Sequence, residues 1–262
     1  MSGSGKVALV TGASSGFGAA IAKELAAGGW SVLAAGRDAA RTGAVVEAIA
    51  EDTPEDTAGA GGTAEAWLGD LTASGACADL IAACGDRFGR LDLLVNSAGV
   101  FYPALSEDTT DAEWDETVAV NLTAVFKLSR AALPLLRAGG GGAILNIASD
   151  WGLIGGRLGA AYCASKGGVV LMTKAMALDH AHENIRVNAV CPTSFVTPMI
   201  EGEFRRRGVD FETGLAEEAA GIPLGRLGQP RELAKLVAYL ASDDAAMMTG
   251  AAIPLDGGTT AG

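Results

Sequence analysis

Lys6-Val7-Ala8-Leu9-Val10-Thr11-Gly12-Ala13-Ser14-Ser15-Gly16-Phe17-Gly18 is the stretch whose reading decides the fold. Residues 6–11 are an apolar run of strand length, glycines follow at 12, 16 and 18, and an alanine-rich helical run covers about 18–27. Glycine lets a backbone come close to a ligand, and a helix N-terminus offers unpaired N–H groups and the positive end of its dipole. Strand, glycine turn and helix in this order make a pyrophosphate site, with Ser14, Ser15 and Phe17 in the same loop. A tight turn that holds nothing would also use glycine, so the weight rests on what comes next.

The second strand, 31–36, ends Ala34-Ala35-Gly36-Arg37-Asp38. In dinucleotide folds an acidic residue near this tip takes the ribose 2′-hydroxyl of NAD, whereas an arginine suits the 2′-phosphate of NADP. Arg37 therefore favours NADP, with NAD still possible. Asp38 could serve a ribose, but its place before the helical run 39–51 suits an N-cap better. Residues 51–63 read as a polar surface loop. A third strand, 64–68, leads into Gly69-Asp70-Leu71, where Asp70 could cap a helix, touch an adenine, or do both. A fourth strand, 91–95, ends at Asn96-Ser97-Ala98-Gly99, small residues that leave room for a flat ring or ribose. Phe101, Tyr102 and Pro103 then stand where they could wall a pocket. The helical segment 111–137 contains Asn121, and a mid-helix asparagine in a core needs partners.

Ala143-Ile144-Leu145-Asn146-Ile147-Ala148 is a buried strand ending at Ser149. Tyr162 follows, with Lys166 four places later in the helical run 159–182, so phenol and ammonium share one helix face. A cation beside a phenol lowers a pKa that is ordinarily ~10 and makes an acid/base usable near neutral pH. Strand 185–191, the loop Pro192-Thr193-Ser194-Phe195-Val196-Thr197-Pro198, a polar segment 199–221, helix 230–241 and strand 251–255 complete the chain. The alternation predicts an α/β fold. It is a Rossmann-like doubly wound parallel sheet of about seven strands with helices on both faces, in one domain over 1–262.

Composition narrows the partners. The chain has 262 residues, a net charge of −12 and no basic cluster beyond Arg205-Arg206-Arg207, which excludes nucleic acid on electrostatic grounds. The four cysteines (Cys77, Cys84, Cys163, Cys191) have no metal-ligand spacing, so no metal is expected, and inert thiols point to the cytoplasm. The N-terminus has no signal-peptide pattern, and no apolar run is expected to reach membrane-spanning length.

Thr11-Gly12-x-x-x-Gly16-x-Gly18, Asn96-x-Ala98-Gly99, Asn121, Ser149, Tyr162-x-x-x-Lys166 and Asp256-Gly257-Gly258 together closely resemble the short-chain dehydrogenase/reductase family over nearly the whole chain. The resemblance implies a catalytic set. Tyr162 gives or takes the proton, Lys166 binds the nicotinamide ribose and lowers the tyrosine pKa, Ser149 bonds the substrate oxygen, and Asn121 holds a relay water. The expected cofactor-binding set is Gly12, Ser14, Ser15, Gly16, Phe17, Gly18, Arg37, Asp70, Leu71, Asn96, Ala98, Gly99, Tyr162, Lys166, Pro192, Val196 and Thr197. Two departures stand out: Thr193 replaces the glycine of a usual Pro-Gly, and Ser97 replaces an asparagine.

The substrate expected is a small-molecule ketone or secondary alcohol, ring-bearing or acyl. Asp150, Trp151, Phe101, Phe195 and Met199 would line its pocket, under a lid of about 195–222. Asp150 and Trp151 stand where many relatives have small residues, and either could instead pack against backbone. Small residues on the two long helices predict a homo-oligomer, with a tetramer favoured. The alternative function is a non-catalytic NAD(P)-binding sensor or scaffold. A sugar-nucleotide epimerase also shares Tyr-x-x-x-Lys but has a different glycine spacing.

Overall fold

A computed structural model describes residue 3, residues 5–52 and residues 62–262; most of the expected surface loop at 51–63 lies outside them. The strands are β1 (Val7–Thr11), β2 (Ser31–Gly36), β3 (Thr63–Leu68), β4 (Leu93–Asn96), β5 (Gly142–Ile147), β6 (Ile185–Pro192) and β7 (Ala252–Leu255). They form one sheet in the order β3-β2-β1-β4-β5-β6-β7, and every pairing is parallel. The helices are α1 (Gly16–Ala27), α2 (Ala39–Asp52), α3 (Ala76–Phe88), α4 (Asp111–Val118), α5 (Ala124–Ala138), α6 (Ala160–His180), α7 (Pro198–Arg207), α8 (Phe211–Ala220) and α9 (Pro230–Ala241).

The strands read as unbroken apolar runs because the sheet is covered on both faces. In β1 the period of two divides the side chains: Ala8 and Val10 pack with α1, α2 and α9 through Ile21, Val45 and Leu233, whereas Val7 and Leu9 pack with α3, α5 and α6 through Leu80, Leu128 and Met176. The chain winds outward from β1 to β3, then returns to place β4 beside β1. That reversal opens a crevice at the carboxyl ends of β1 and β4, where ligands bind in sheets of this kind. Thr11 at the tip of β1 secures the crevice. Its Oγ1 accepts from Ser97 N at 3.0 Å and Ala98 N at 3.2 Å, which fixes the loop after β4.

Helix α4 starts with a capping box between Thr110 and Glu113. It runs through a π-helical turn at Ala119–Thr123 into α5. By length and apolarity this stretch, Asp111–Ala138, could cross a membrane, with a mean hydropathy of 1.3 over its most apolar window. The expectation that no apolar run reaches that length is therefore corrected; charges are sparse after Glu116. In this fold Ala124, Leu128, Ala132 and Leu136 are buried in the core.

A buried polar chain crosses this layer. Asn96 Nδ2 donates to Asn146 Oδ1 at 2.9 Å and to Ser129 Oγ at 3.1 Å, and Asn146 Nδ2 donates to Thr173 Oγ1 at 2.8 Å. Helices α7 and α8 carry a core of their own, built on Ile200, Phe204, Ile222 and Leu227.

Candidate active site

A cleft of about 430 Å³ runs along the carboxyl edge of the sheet, within the range of small-molecule sites. At one end lies the glycine loop. Gly12 has φ +67°, and a Cβ there would stand 2.9 Å from Ala98 Cα; a side chain at Gly18 would run into the Gly12 carbonyl. Ser15 makes no side-chain cap, so the first N–H groups of α1 remain free toward the cleft. Such a cradle fits a dinucleotide pyrophosphate.

Arg37 is exposed at the rim. The Asp38 carboxylate is taken by Arg41, accepting from its N at 2.9 Å and its Nε at 2.8 Å, so it caps α2 and is not free for a ribose. Arg41 also lines the cleft and puts a second cation at this end. Asp70 lines the cleft too, but it caps no helix. Its Oδ1 accepts from Thr72 N at 2.9 Å and Thr72 Oγ1 at 2.8 Å, which pulls its carboxyl below the usual range, and α3 starts only after Gly75.

Tyr162 and Lys166 meet at the other end on adjacent turns of α6. Lys166 is buried; its Nζ donates to the Ile147 carbonyl at 2.8 Å and lies 5.5 Å from the Tyr162 ring centroid. Burial brings Lys166 down to about 8. The Tyr162 phenol is pushed above its ordinary value, chiefly by burial; a hydrogen bond with Ser149 opposes the rise and the charge of Asp150 adds to it. Burial thus works against the lowering expected from the ammonium. The ammonium is held by a carbonyl, 5.5 Å from the ring centroid, and desolvation dominates.

Ser149 Oγ donates to Asp150 Oδ1 at 2.9 Å and accepts from Trp151 N at 3.1 Å. The Trp151 ring packs against Gly156 and Gly159. Phe101, Trp151 and Tyr162 form an aromatic cluster with ring centroids 5.0 to 6.1 Å apart. Met199 lies on the rim, 43% exposed. Phe195 reaches the cleft but is buried edge-on against Phe17, backing the glycine loop. Thr197 stands against Gly16, and Leu71, Ala98, Gly99 and Pro192 line the same cleft.

Several expected residues lie elsewhere. Asn96 does not line the cleft. Leu94 faces the α5 layer, and period two sends Asn96 the same way, into the polar chain beneath the site. The Val196 side chain packs into the α7–α8 core. Tyr102 turns away and donates to Glu116 Oε2 at 2.9 Å. Asn121 sits in the π-helical turn, fully buried, with its amide around Val100: Oδ1 accepts from Val100 N and Nδ2 donates to Val100 O, both at 2.9 Å, with Ser165 Oγ at 3.3 Å. Its side chain thereby fixes the strand of loop leading to Phe101.

Sequence reasoning passed over three groups. Thr193 lines the cleft with Asp150 and helps to hold its carboxyl down; its departure from Pro-Gly was the available signal. The Ile147 carbonyl carried no signal, because backbone acceptors have none. Glu203 and Glu218, from the polar segment, line the cleft, and burial followed by the charge of Glu218 pushes Glu203 up. Among the described residues no group of three or more His, Cys, Asp or Glu is placed to hold a metal ion.

Residues 12–260 match the family model described as enoyl-(acyl carrier protein) reductase. The chain is 37% identical to D-β-hydroxybutyrate dehydrogenase of Rhizobium meliloti, over 98% of this chain and 99% of that one. It is 41% identical to D-threitol dehydrogenase of Mycolicibacterium smegmatis, over 98% and 93%. A crystal structure assigned provisionally as an NAD(P)-dependent gluconate 5-dehydrogenase of Beutenbergia cavernae, with NADP bound at low occupancy, superimposes with a TM-score of 0.89 at 36% identity, over 100% of this chain and 99% of that one. The chain belongs to the short-chain dehydrogenase/reductase family.

Proposed function

We propose that this enzyme interconverts a small-molecule ketone and its secondary alcohol using NADP, with Tyr162 as the acid/base. The observation that carries the reading is the convergence of Ser149, Tyr162 and Lys166 at one end of a cleft whose other end is a pyrophosphate cradle flanked by Arg37 and Arg41. A nicotinamide dinucleotide supplies or takes the hydride when bound. Tyr162 gives the carbonyl oxygen its proton in reduction and removes it in oxidation. Burial keeps the phenol protonated, which suits the reductive direction. Ser149 supports the charge growing on that oxygen. Lys166 faces the ribose side of the cleft and returns the proton to Tyr162. The amide of Asn121 is committed to Val100 and Ser165, so we assign it the positioning of Phe101's loop rather than direct contact with a relay water.

The aromatic cluster suits a substrate of moderate size that presents a flat or apolar side to Trp151 and Phe101. Relatives named for β-hydroxybutyrate, threitol and gluconate support the class of reaction, since each of these carries a secondary alcohol. Helices α7 and α8, with their separate small core, suit a lid that closes over the substrate. Four unpaired cysteines support a cytoplasmic setting. Leu171 and Leu178, 68% and 83% exposed on one side of α6, support a homo-oligomer, which we take to be a tetramer and which light scattering can test.

The test is a screen of ketones with NADPH and NADH, and of alcohols with the oxidised forms. Tyr162→Phe should lose at least about 100-fold in kcat against the best substrate, the scale of general acid catalysis. Full activity in that variant would sink the assignment and return the chain to a binding role.

A further inference from the structure

Asp150 and Thr193, both singled out in the sequence, border the same cleft in the fold. Asp150 is 3% exposed although it borders the cleft. Its Oδ1 accepts from Ser149 Oγ at 2.9 Å and Trp151 N at 2.8 Å, and the Thr193 side chain, which borders the same cleft, helps to hold the carboxyl down. Ser149 Oγ carries one proton, and it accepts from the Trp151 N–H at 3.1 Å. That single proton cannot serve Asp150 and a substrate oxygen at once.

We propose that Asp150 is a positioning residue that decides which way the Ser149 hydroxyl points, a role that rests on Ser149 acting at the substrate oxygen. As a carboxylate, Asp150 holds the serine proton, and Ser149 can only accept toward the cleft. As a carboxylic acid, Asp150 donates to Ser149 Oγ and leaves the serine proton free for the oxygen. Reduction builds negative charge on that oxygen and needs a donor there. The acid form is therefore the reductive form, and Thr193 opposes it by holding the carboxyl down.

The surroundings support a carboxyl that titrates in use. Burial raises Asp150; the hydrogen bonds from Thr193, Ser149 and Trp151 hold it back, and the charge of Asp256 raises it further. The other ionisable groups near it are Tyr162 and Lys166 on α6, Cys191 on β6 and Asp256 beyond β7, with Glu203 and Glu218 across the cleft. Tyr162 is raised, Cys191 is pushed up to about 11, and Asp256 is held low, so none of these three titrates in the neutral range. Lys166, brought down to about 8, does, and the variants must separate it from Asp150.

The experiment is single-turnover reduction of cyclohexanone or acetophenone by NADPH, whichever is turned over, as a function of pH. Wild type should lose rate as pH rises through the ionisation of Asp150. Asp150→Asn removes the titrating carboxyl and should lack that limb. Thr193→Val removes a polar group that holds the carboxyl down and should move the limb to higher pH, leaving the Lys166 limb in place. If Asp150→Asn does not fold, the Thr193→Val shift decides alone. Profiles superimposable on wild type in the folded variants, or a loss of equal size at every pH, would overturn the proposal. Tyr162→Phe run alongside keeps the two ideas apart, because activity there defeats the catalytic reading itself.

Discussion

Replacing Lys166 by methionine should make the protein more stable at neutral pH and inactive. Burial brings this amine from an ordinary 10.5 down to about 8, so the fold disfavours the charged form by roughly 3 kcal/mol. Methionine fills similar space with a flexible apolar chain. The substitution also removes the hydrogen bond to the Ile147 carbonyl, at a cost of about 1 kcal/mol. The net gain at pH 7 is about 2 kcal/mol, or about 4–8 °C in Tm for a chain of this size. The sign follows from proton counting. Below pH 8 the amine is charged whether folded or unfolded, and wild type bears the full cost. Between about 8 and 10.5 the unfolded chain binds the extra proton, so wild-type stability climbs with pH. The variant has no such rise, so its advantage should shrink above pH 8 and reverse once the amine is neutral in both states. Thermal unfolding by circular dichroism at several pH values, without nucleotide, reads the difference. A variant that melts at or below wild type at pH 7, or a gap that stays constant with pH, would refute the reasoning.

Arg37→Ser should lower kcat/KM for NADPH by about 10- to 100-fold, the scale of one charge-assisted hydrogen bond, and leave NADH nearly unchanged; equal loss with both nucleotides would show that Arg37 does not read the phosphate. Trp151→Ala removes the wall that Phe101 and Tyr162 pack against, and should raise KM for ring-bearing ketones by about 2- to 10-fold more than for small linear ones. An unchanged specificity profile would dismiss that wall.

The sheet was legible because its strands are buried on both faces and so stand out as apolar runs closed by small residues. The placement of Tyr162 and Lys166 on one helix face was equally plain from their spacing. Their ionisation was not, because spacing is silent on burial depth and on which carbonyl receives the ammonium. The Asn96 signature suggested a cleft residue, yet counting by twos from Leu94 turns it into the layer below. Asp70 looked like a helix cap because the helix seemed to start at once; Gly75, at φ +82°, delays it to Ala76. Asn121 lies in a turn with one residue more than α-helical periodicity anticipates. Thr193 was visible as a departure, but its partner lies far away in the chain and only folding brings them together.

Asn96 and Asn146 are direct register partners on β4 and β5. Neighbouring runs of valine, leucine and isoleucine would pack almost as well if one slid past the other, so greasy side chains alone are a poor ruler. The amide pair supplies the notch. Slide either strand by one residue and each amide turns to the opposite face, stripped of its partner amid hydrocarbon. The alignment that sets Ser149 beside the end of β4 is thus keyed by two side chains that never need to meet a substrate.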